Sequence, residues 1–257
     1  MKVVVLGCSG SGPGPGSPAS GYLVEAGETR LALDLGNGTF GALQRALDPW
    51  ALDAVAFSHL HPDHCADFSA LAVWRRYHPS PPYDPTRTRL PVFAPVEAPE
   101  RLGAAYAPSA SERAATDLTD VFAFQVLADG CEATVGGAVL RAAAVDHPCE
   151  AYALRVEHAG RSLVYSGDTG PCQGLVDLAR GADVLLCEAS WPHTDDMPPG
   201  VHLSGRQAGE HAAAAGVGRL LITHVPIWTD PDAMLAEAKA EFDGPVELVR
   251  PDGEYEV

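Results

Sequence analysis

The stretch His59-Leu60-His61-Pro62-Asp63-His64 carries four metal-capable side chains within six residues. The apolar residues just before it predict a buried strand, so the four side chains lie where that strand ends and a loop begins. On extended backbone His59 and His61 can point the same way, whereas Asp63 and His64 come after the chain has turned and face a second point in space. Imidazole with carboxylate suits zinc, manganese or iron, so this loop predicts ligands for two neighbouring cations.

Three further metal-capable side chains stand at the carboxyl ends of other predicted strands: His147, Asp168 and His224. Loops over the edge of a sheet commonly carry binding and catalytic groups. Taken singly, each side chain is compatible with a structural role, as a turn residue, a helix cap or a buried histidine. Complementary ligands at four strand ends together indicate one shared metal site.

The sequence at these positions resembles the motifs of the metallo-β-lactamase-fold hydrolases, and the resemblance covers nearly the whole chain. Further matches are Cys187-Glu188-Ala189-Ser190 and the segment from His202 to His211. The motifs are most similar to those of the branch that holds the tRNA 3′-processing endonucleases and the related cyclic-nucleotide phosphodiesterases. Within that branch, the segments Leu6–Gly10 and Trp74–Pro79 most resemble actinobacterial cyclic-nucleotide phosphodiesterases.

The predicted strands and helices mix in both halves of the chain, which favours helices covering the outer faces of two packed sheets. The resemblance implies an α/β fold of this kind, the four-layer αββα metallo-β-lactamase sandwich, with the metal site at one edge of the two sheets. A chain of 257 residues is long enough for one substantial core, so we expect residues 1–257 to form a single hydrolase domain.

Two local patterns make specific structural predictions. Asp129-Gly130 predicts a turn, and the runs 121–127 and 131–135 on either side of it predict a β-hairpin. The glycine-rich segment 10–16 fits a loose dinucleotide-binding pattern, but prolines lead it into a strand, and the helix that would hold a pyrophosphate is missing. Helices are predicted near residues 41–47, 67–77, 98–106, 171–180, 204–215 and 231–242.

The ligand candidates can be grouped by their charge and by the direction that each side chain is expected to face. They then form two metal sites that share one carboxylate, as in the family pattern. We expect His59, His61 and His147 at the first metal, Asp63, His64 and His224 at the second, and Asp168 as the bridge between them. Two divalent ions, zinc or else manganese or iron, would share a water, lower its pKa and clamp the oxygens of an in-line displacement. Hydrolysis is therefore the predicted reaction.

His202 aligns with the family histidine that protonates the leaving group, and we expect it to act as a general acid. Asp63 is the other residue predicted to act in catalysis, in addition to binding metal. Two alternatives for the segment after Val201 are that His202 only fixes its own loop, or that Ser204 only caps the following helix. Glu188 is predicted either to orient a ligand histidine from behind or to be an ordinary buried polar residue.

Arg75, Arg76 and Tyr77 end the predicted helix that begins beside the metal loop. They could hold a phosphate and stack on a base, but cations near a helix C-terminus are also favoured by the helix dipole, and this second interpretation is preferred. In the first interpretation they would form, with the proline-rich segment 79–89, a rim that restricts entry. Four other histidines are predicted to be non-catalytic, although the third could reach the rim: His78, His158, His193 and His211.

The formal net charge of −17 weighs against nonspecific binding to nucleic acid or to an anionic membrane. Two divalent cations would nonetheless make the cleft locally positive for an anionic substrate. We see no targeting segment and no run of membrane-spanning length, and the six cysteines are scattered without a paired motif. A cytoplasmic protein with reduced thiols is therefore expected, and a homodimer is compatible with the sequence.

The leading hypothesis for the substrate is a small-molecule phosphodiester, a cyclic nucleotide such as cAMP. The rival is tRNA 3′-end processing, whose family inserts a tRNA-binding arm between the equivalents of His147 and Asp168. Here only twenty residues separate those positions, and two predicted strands use them. Thioester or lactone hydrolysis stays open, and a non-enzymatic, metal-loaded nucleotide-binding module is the alternative of a different class.

Overall fold

Two β-sheets of seven strands each lie at the centre of the computed structural model, which describes residues 1–257. In chain order the strands are β1 (Lys2–Gly7), β2 (Ser9–Gly10), β3 (Gly21–Ala26), β4 (Thr29–Leu33), β5 (Ala54–Ala56), β6 (Leu90–Ala94), β7 (Phe122–Val126), β8 (Glu132–Val135), β9 (Ala138–Ala144), β10 (Tyr152–His158), β11 (Arg161–Tyr165), β12 (Val184–Glu188), β13 (Arg219–Thr223), β14 (Val225–Pro226), β15 (Val246–Leu248) and β16 (Glu254–Glu256). The helices are α1 (Thr39–Ala46), α2 (Pro62–Cys65), α3 (Phe68–Tyr77), α4 (Ala98–Tyr106), α5 (Ala110–Arg113), α6 (Gln173–Ala179), α7 (Gly205–Ala215) and α8 (Pro231–Glu241), with one turn of 3₁₀ helix at Pro49–Ala51.

Each sheet is half antiparallel and half parallel. The first has the order β16-β1-β3-β4-β5-β6-β7 and is parallel from β4 to β7. The second has the order β15-β13-β12-β11-β10-β9-β8 and is parallel from β11 to β15. Residues that follow parallel strands of both sheets converge at one edge, so this edge is where loops from the two halves of the chain meet.

Three apolar clusters fill the spaces between the layers. The cluster between the two sheets includes Val5 and Leu154, which are fully buried. On the outer face of the first sheet, α1, α3 and α4 bury residues such as Leu71, and on the outer face of the second, α6, α7 and α8 bury Leu220 and Met234. The predicted αββα sandwich is therefore confirmed.

Helix α7 starts and ends at residues that favour those positions. The Ser204 hydroxyl accepts from the Gln207 amide, and the Gln207 side chain accepts from the Ser204 amide, which is a capping box. The helix ends at Gly216, whose φ of 63° is the left-handed conformation that glycine adopts without strain. Ser204 is thus a helix cap, and the start of α7 fixes the end of the loop that carries His202.

The hairpin predicted around Asp129-Gly130 is wrong. The turn exists, because Gly130 has a φ of 72° and the Cys131 amide donates to the Ala128 carbonyl. However, β7 pairs with β6 at the edge of the first sheet, whereas β8 pairs with β9 in the second. The turn instead carries the chain from the first sheet to the second. An Asp-Gly turn suits this passage and a hairpin equally well, so the local sequence does not distinguish them.

The remaining local predictions agree with the structure. The six helices predicted from the sequence are found as α1, α3, α4, α6, α7 and α8. The glycine-rich segment 10–16 leads into β3, and no helix follows it. The sequence did not predict α2, α5, β2, β14 and β16, each of which has four residues or fewer. None of the helices is both long enough and apolar enough to cross a membrane.

Candidate metal centre

All seven ligand candidates converge at the edge where the parallel strands end. They form two groups of four that share Asp168, and the ligand atoms within each group lie within 4.8 Å of one another. The first group is His59, His61, His147 and Asp168, and the second is Asp63, His64, Asp168 and His224. This grouping is the one expected from the sequence.

Three imidazole nitrogens face one another in the first group. Nε2 of His59 lies 3.0 Å from Nδ1 of His61, and that atom lies 3.2 Å from Nε2 of His147. A carboxylate oxygen of Asp168 is 3.7 Å from Nε2 of His59. Three ring nitrogens and one oxygen around a common point form a donor set that suits a divalent transition metal such as zinc.

The second group combines two imidazoles with two carboxylates. Nε2 of His64 lies 3.2 Å from Oδ1 of Asp168 and 3.6 Å from Oδ2 of Asp63. Nε2 of His224 lies 3.4 Å from Oδ2 of Asp168 and 3.8 Å from Oδ2 of Asp63. Asp168 therefore presents its carboxylate to both groups at once.

Hydrogen bonds on the far side of two rings decide which nitrogen faces the cluster. Nδ1 of His64 donates to Asp34 at 2.8 Å, and Nδ1 of His147 donates to the Val201 carbonyl at 2.9 Å. Because carboxylate and carbonyl oxygens only accept, the neutral rings carry their proton on Nδ1 and their lone pair on Nε2. In the neutral form that binds a metal, both rings therefore present the Nε2 lone pair to the site.

Serine hydroxyls occupy the same far-side position on two other rings. Nδ1 of His59 lies 3.1 Å from the Ser58 hydroxyl, and Nδ1 of His224 lies 2.7 Å from the Ser20 hydroxyl. His224 also has a φ of 54°, a left-handed conformation that non-glycine residues rarely adopt. Strain of this kind is typical of residues held in place for a function.

A close backbone approach at Gly36 holds the metal loop against the rest of the sheet. The Asp63 carbonyl accepts from the Ser20 amide at 3.2 Å, and the His64 carbonyl accepts from the Leu35 amide at 2.7 Å. A Cβ atom on Gly36 would lie only 1.9 Å from the Asp63 carbonyl oxygen. Only glycine therefore allows the loop to dock in this position.

Burial leaves most of the clustered histidines uncharged. It lowers the pKa of four rings: His59, His61, His147 and His224. Neutral imidazole is the form that binds a metal. At neutral pH these rings therefore offer lone pairs without a proton that must first be lost.

No arginine or lysine forms an ion pair with the buried carboxylates around the cluster. Asp34, Asp168 and Glu188 are each no more than 2% exposed, and their ion pairs are all with histidines. Although burial acts in the opposite direction, the carboxylates of Asp168 and Asp34 raise the pKa of His64 well above its usual range. The site therefore attracts positive charge.

Three buried polar atoms in the cluster have no hydrogen-bond partner: Nε2 of His64, Oδ1 of Asp168 and Nε2 of His224. Leaving such groups unpaired is costly, and the exceptions in native structures commonly mark an ion or a functional group. Divalent cations between these atoms would satisfy the lone pairs and neutralise the carboxylates together. The residues present therefore fit divalent metal ions.

His202 lies beside both groups and is held by a buried carboxylate. Its Nδ1 donates to Glu188 at 3.0 Å and lies 3.9 Å from Asp168. Glu188 also accepts from the Thr169 amide at 2.6 Å and from the Ser190 hydroxyl at 2.7 Å. Burial lowers the pKa of His202, but the Glu188 carboxylate outweighs this effect and raises the pKa to about 9. Glu188 thus orients His202, which is not among the ligand histidines, so neither of the two predicted alternatives for Glu188 describes its contacts.

A cavity of about 420 Å³ opens beside His202. His193 also lines this cavity, and its Nδ1 lies 3.0 Å from the Ser204 hydroxyl. The other three histidines outside the site have structural partners. His78 packs against Trp74. Nδ1 of His158 donates a hydrogen bond to the Gly137 carbonyl, and His211 accepts one from the Cys172 amide.

The helix end considered for phosphate binding is occupied with structural contacts. Arg75 is 1% exposed, donates to the Thr88 carbonyl at 2.9 Å and stacks over Trp50 at 5.1 Å. Arg76 pairs with Asp120 at 2.8 Å. Both guanidinium groups are thus occupied by protein partners, which favours a structural role through side-chain contacts rather than through the helix dipole. The segment 79–89 contacts Arg75 through Tyr83 and Thr88.

The residues that hydrogen-bond the ligand rings on the side away from the cluster were not predicted from the sequence. Asp34 makes the most contacts among them. Its carboxylate accepts from the Ser58 amide and hydroxyl, from His64 and from the Tyr165 hydroxyl, each at 2.8 Å. One signal was present in the sequence. Asp34 directly follows β4 and Asp168 follows β11 after two residues, so both are acidic residues close to a strand end.

Comparison with known proteins places this site in a family. The family described as the β-lactamase superfamily domain matches residues 23–225. An uncharacterised protein of Mycobacterium leprae is 51% identical to this chain, covering 97% of it and 86% of that protein. Ribonuclease Z of Mycolicibacterium paratuberculosis is 33% identical, covering 96% of this chain and 95% of that protein. The crystal structure of the metallo-β-lactamase fold protein YhfI from Bacillus subtilis has a TM-score of 0.84 at 26% identity, covering 99% of both chains.

The family match and the fold agree with the clustered histidines and aspartates. The chain therefore belongs to the metallo-β-lactamase superfamily, in the branch that includes ribonuclease Z, and is a metal-dependent hydrolase.

Proposed function

We propose that the protein is a phosphodiesterase that uses two divalent metal ions, zinc or else manganese or iron, to hydrolyse small cyclic nucleotides such as cAMP. The observation that carries this proposal is the joining of two four-residue ligand groups through Asp168, with His202 held beside them. Hydrolysis of a phosphodiester by in-line displacement needs stabilisation of the attacking and leaving oxygens and a proton for the leaving group. The arrangement supplies groups for each of these tasks.

The metal-binding roles follow the two ligand groups. His59, His61 and His147 would hold one ion, Asp63, His64 and His224 the other, and Asp168 both. When bound, the ions supply Lewis-acid charge that polarises water and neutralises a phosphate ester. The hydrogen bonds on the far side of the rings keep the ligand nitrogens in position when a substrate enters.

His202 would supply the proton that the leaving alkoxide needs. Its Nδ1 is bonded to Glu188, so Nε2 is the atom that can donate to the leaving oxygen. Glu188 is itself fixed by Thr169 and Ser190, and it therefore keeps the ring in one orientation during proton transfer. Asp63, whose side chain is 13% exposed, would accept a proton from the attacking water.

Cleavage of precursor tRNA is the second candidate, because Ribonuclease Z of Mycolicibacterium paratuberculosis is 33% identical to this chain. Two observations favour the smaller substrate. Between His147 and Asp168 the strands are β10 and β11, joined by the two-residue turn Ala159-Gly160, so this connection has no inserted arm for a tRNA body. The net charge of −17 also opposes binding of a polyanion.

The test is a side-by-side assay of metal-reconstituted protein on cyclic mononucleotides, precursor tRNA, a thioester and a lactone at matched salt. We expect hydrolysis of 2′,3′- or 3′,5′-cyclic nucleotides that a chelator abolishes and that His202→Ala slows. His158→Ala is the matched control, because His158 bonds the Gly137 carbonyl away from the cluster. Site-specific trimming of tRNA with inert cyclic nucleotides would reverse the ranking. Nucleotide binding without turnover of any substrate would favour a binding module.

A further inference from the structure

An exposed tryptophan stands on a turn next to the candidate metal centre. Residues Pro226 to Thr229 form a β-turn, in which the Thr229 amide donates to the Pro226 carbonyl at 2.9 Å. The turn begins two positions after His224, whose ring belongs to the second ligand group. Trp228, at one of the two central positions of the turn, is 71% exposed. Its indole is therefore accessible from solvent, four positions along the chain from a metal-ligand candidate.

The turn is anchored before Trp228. Strand β14, which enters the turn, pairs with β2 in parallel. Ile227, the other central residue, packs against the glycine-rich segment, because a Cβ atom on Gly14 would lie 2.5 Å from its Cγ2. Trp228 therefore projects from backbone that needs no rearrangement, which lowers the entropy lost when it contacts a ligand.

The turn is also anchored after Trp228, and this second anchor ties it to the candidate general acid. The Thr229 hydroxyl donates to the Ser190 carbonyl at 3.1 Å. Ser190 bonds Glu188 through its hydroxyl, and the ring of the next residue, Trp191, meets the His202 ring edge-on at 5.1 Å. Thr229 and Ser190 thus link the turn that carries Trp228 to Glu188, the carboxylate that holds His202.

We propose that Trp228 is a specificity-determining residue that stacks on the nucleobase of the substrate, an inference that rests on the proposed function. The two ligand groups and His202 act on the phosphodiester, and nothing in their chemistry distinguishes a nucleotide from another small diester. An indole adds this distinction, because every base has a π-face on which an aromatic ring can stack. Stacking also recognises the neutral part of the substrate, which the acidic surface does not repel.

The test compares a ligand that has a base with one that lacks it. Binding of AMP and of ribose 5-phosphate to metal-loaded protein is measured by calorimetry for wild type, Trp228→Ala and Trp228→Phe. We expect Trp228→Ala to weaken AMP binding about ten-fold, equivalent to about 1.4 kcal/mol, with ribose 5-phosphate unchanged and Trp228→Phe close to wild type. The control is Val73→Ala, which removes a 49% exposed apolar side chain from α3 and should leave both affinities unchanged.

Kinetics give a second readout that separates this inference from the proposed function. Trp228→Ala should raise KM for the cyclic nucleotide about ten-fold with kcat unchanged, since stacking binds substrate without touching the reacting atoms. Equal loss of AMP and ribose 5-phosphate binding, or AMP binding equal to wild type, would overturn the role of Trp228. Base-dependent binding through Trp228 without hydrolysis of cyclic nucleotides would support base recognition while refuting the proposed reaction.

Discussion

Replacing Asp34 by asparagine keeps the size of a fully buried side chain but removes one acceptor, and we expect it to weaken metal binding. Oδ2 of Asp34 accepts from three donors, the Ser58 hydroxyl, Nδ1 of His64 and the Tyr165 hydroxyl, each at 2.8 Å. Oδ1 accepts from the Ser58 amide at 2.8 Å. The asparagine oxygen can serve that amide, but its NH₂ group then faces the three other donors.

The imidazole responds differently from the two hydroxyls. Hydroxyl groups can rotate and accept from the new NH₂ group, whereas His64 can accept at Nδ1 only by moving its proton to Nε2. Nε2 faces Asp168 and Asp63, so a proton there removes the lone pair that a metal requires. Loss of such a supporting contact reduces metal affinity by about 10–100-fold. The mismatched buried groups should also lower the free energy of unfolding by about 1–3 kcal/mol.

The assay is a competition titration of Asp34→Asn against a chromophoric chelator, with thermal unfolding followed on the metal-free protein. Asp53→Asn is the matched control, because its carboxylate accepts from the Arg30 amide at 2.7 Å at the opposite end of β4 and β5. We expect the control to bind metal as wild type does. Two metals bound by Asp34→Asn with wild-type affinity would refute the tautomer argument.

Four further substitutions separate metal binding, proton transfer and stability. Asp168→Ala should lose metal as well as activity, measured by elemental analysis, because removal of the shared carboxylate leaves two cations repelling each other. His202→Ala should keep both metals and slow kcat by about 10²–10⁴-fold; metal loss in this variant would show that His202 is a ligand. Gly36→Ala should displace the metal loop, since its Cβ would meet the Asp63 carbonyl at 1.9 Å, and so reduce metal content even where circular dichroism shows a folded chain. Arg75→Ala should lower the free energy of unfolding in urea by about 2–4 kcal/mol, as expected when a buried, hydrogen-bonded side chain is removed, with KM unchanged; a raised KM would restore the phosphate-binding interpretation.

The ligand candidates could be predicted from the sequence because each is a distinctive side chain next to a strand-like run. His59 and His61 follow β5 after two and four residues, and His224 directly follows β13. Residues after parallel strands lie at one edge of their own sheet, but β5 and β13 belong to different sheets, so bringing His59 and His224 together also needs the sandwich packing that the family resemblance implied. The two packed sheets were predicted from the mixture of strands and helices in both halves of the chain, and the αββα sandwich from the family resemblance.

The residues that support the ligands could not be predicted in the same way. Ser20 holds His224 although 204 positions separate them along the chain, and a serine before a strand has no pattern that distinguishes it from others. Asp129-Gly130 fails for a related reason, because a tight turn fits a hairpin and a passage between sheets equally well. The burial of Arg75 could not be predicted either. Its partner Trp50 lies outside α3, and the sequence of the helix does not specify that contact.

Anomalous diffraction from crystals of protein purified without chelator, combined with elemental analysis, tests the dinuclear site most directly. We expect two ions per chain, one among His59, His61 and His147 and one among Asp63, His64 and His224, with Asp168 contacting both. A single ion per chain, or none after reconstitution with zinc or manganese, would contradict the proposal.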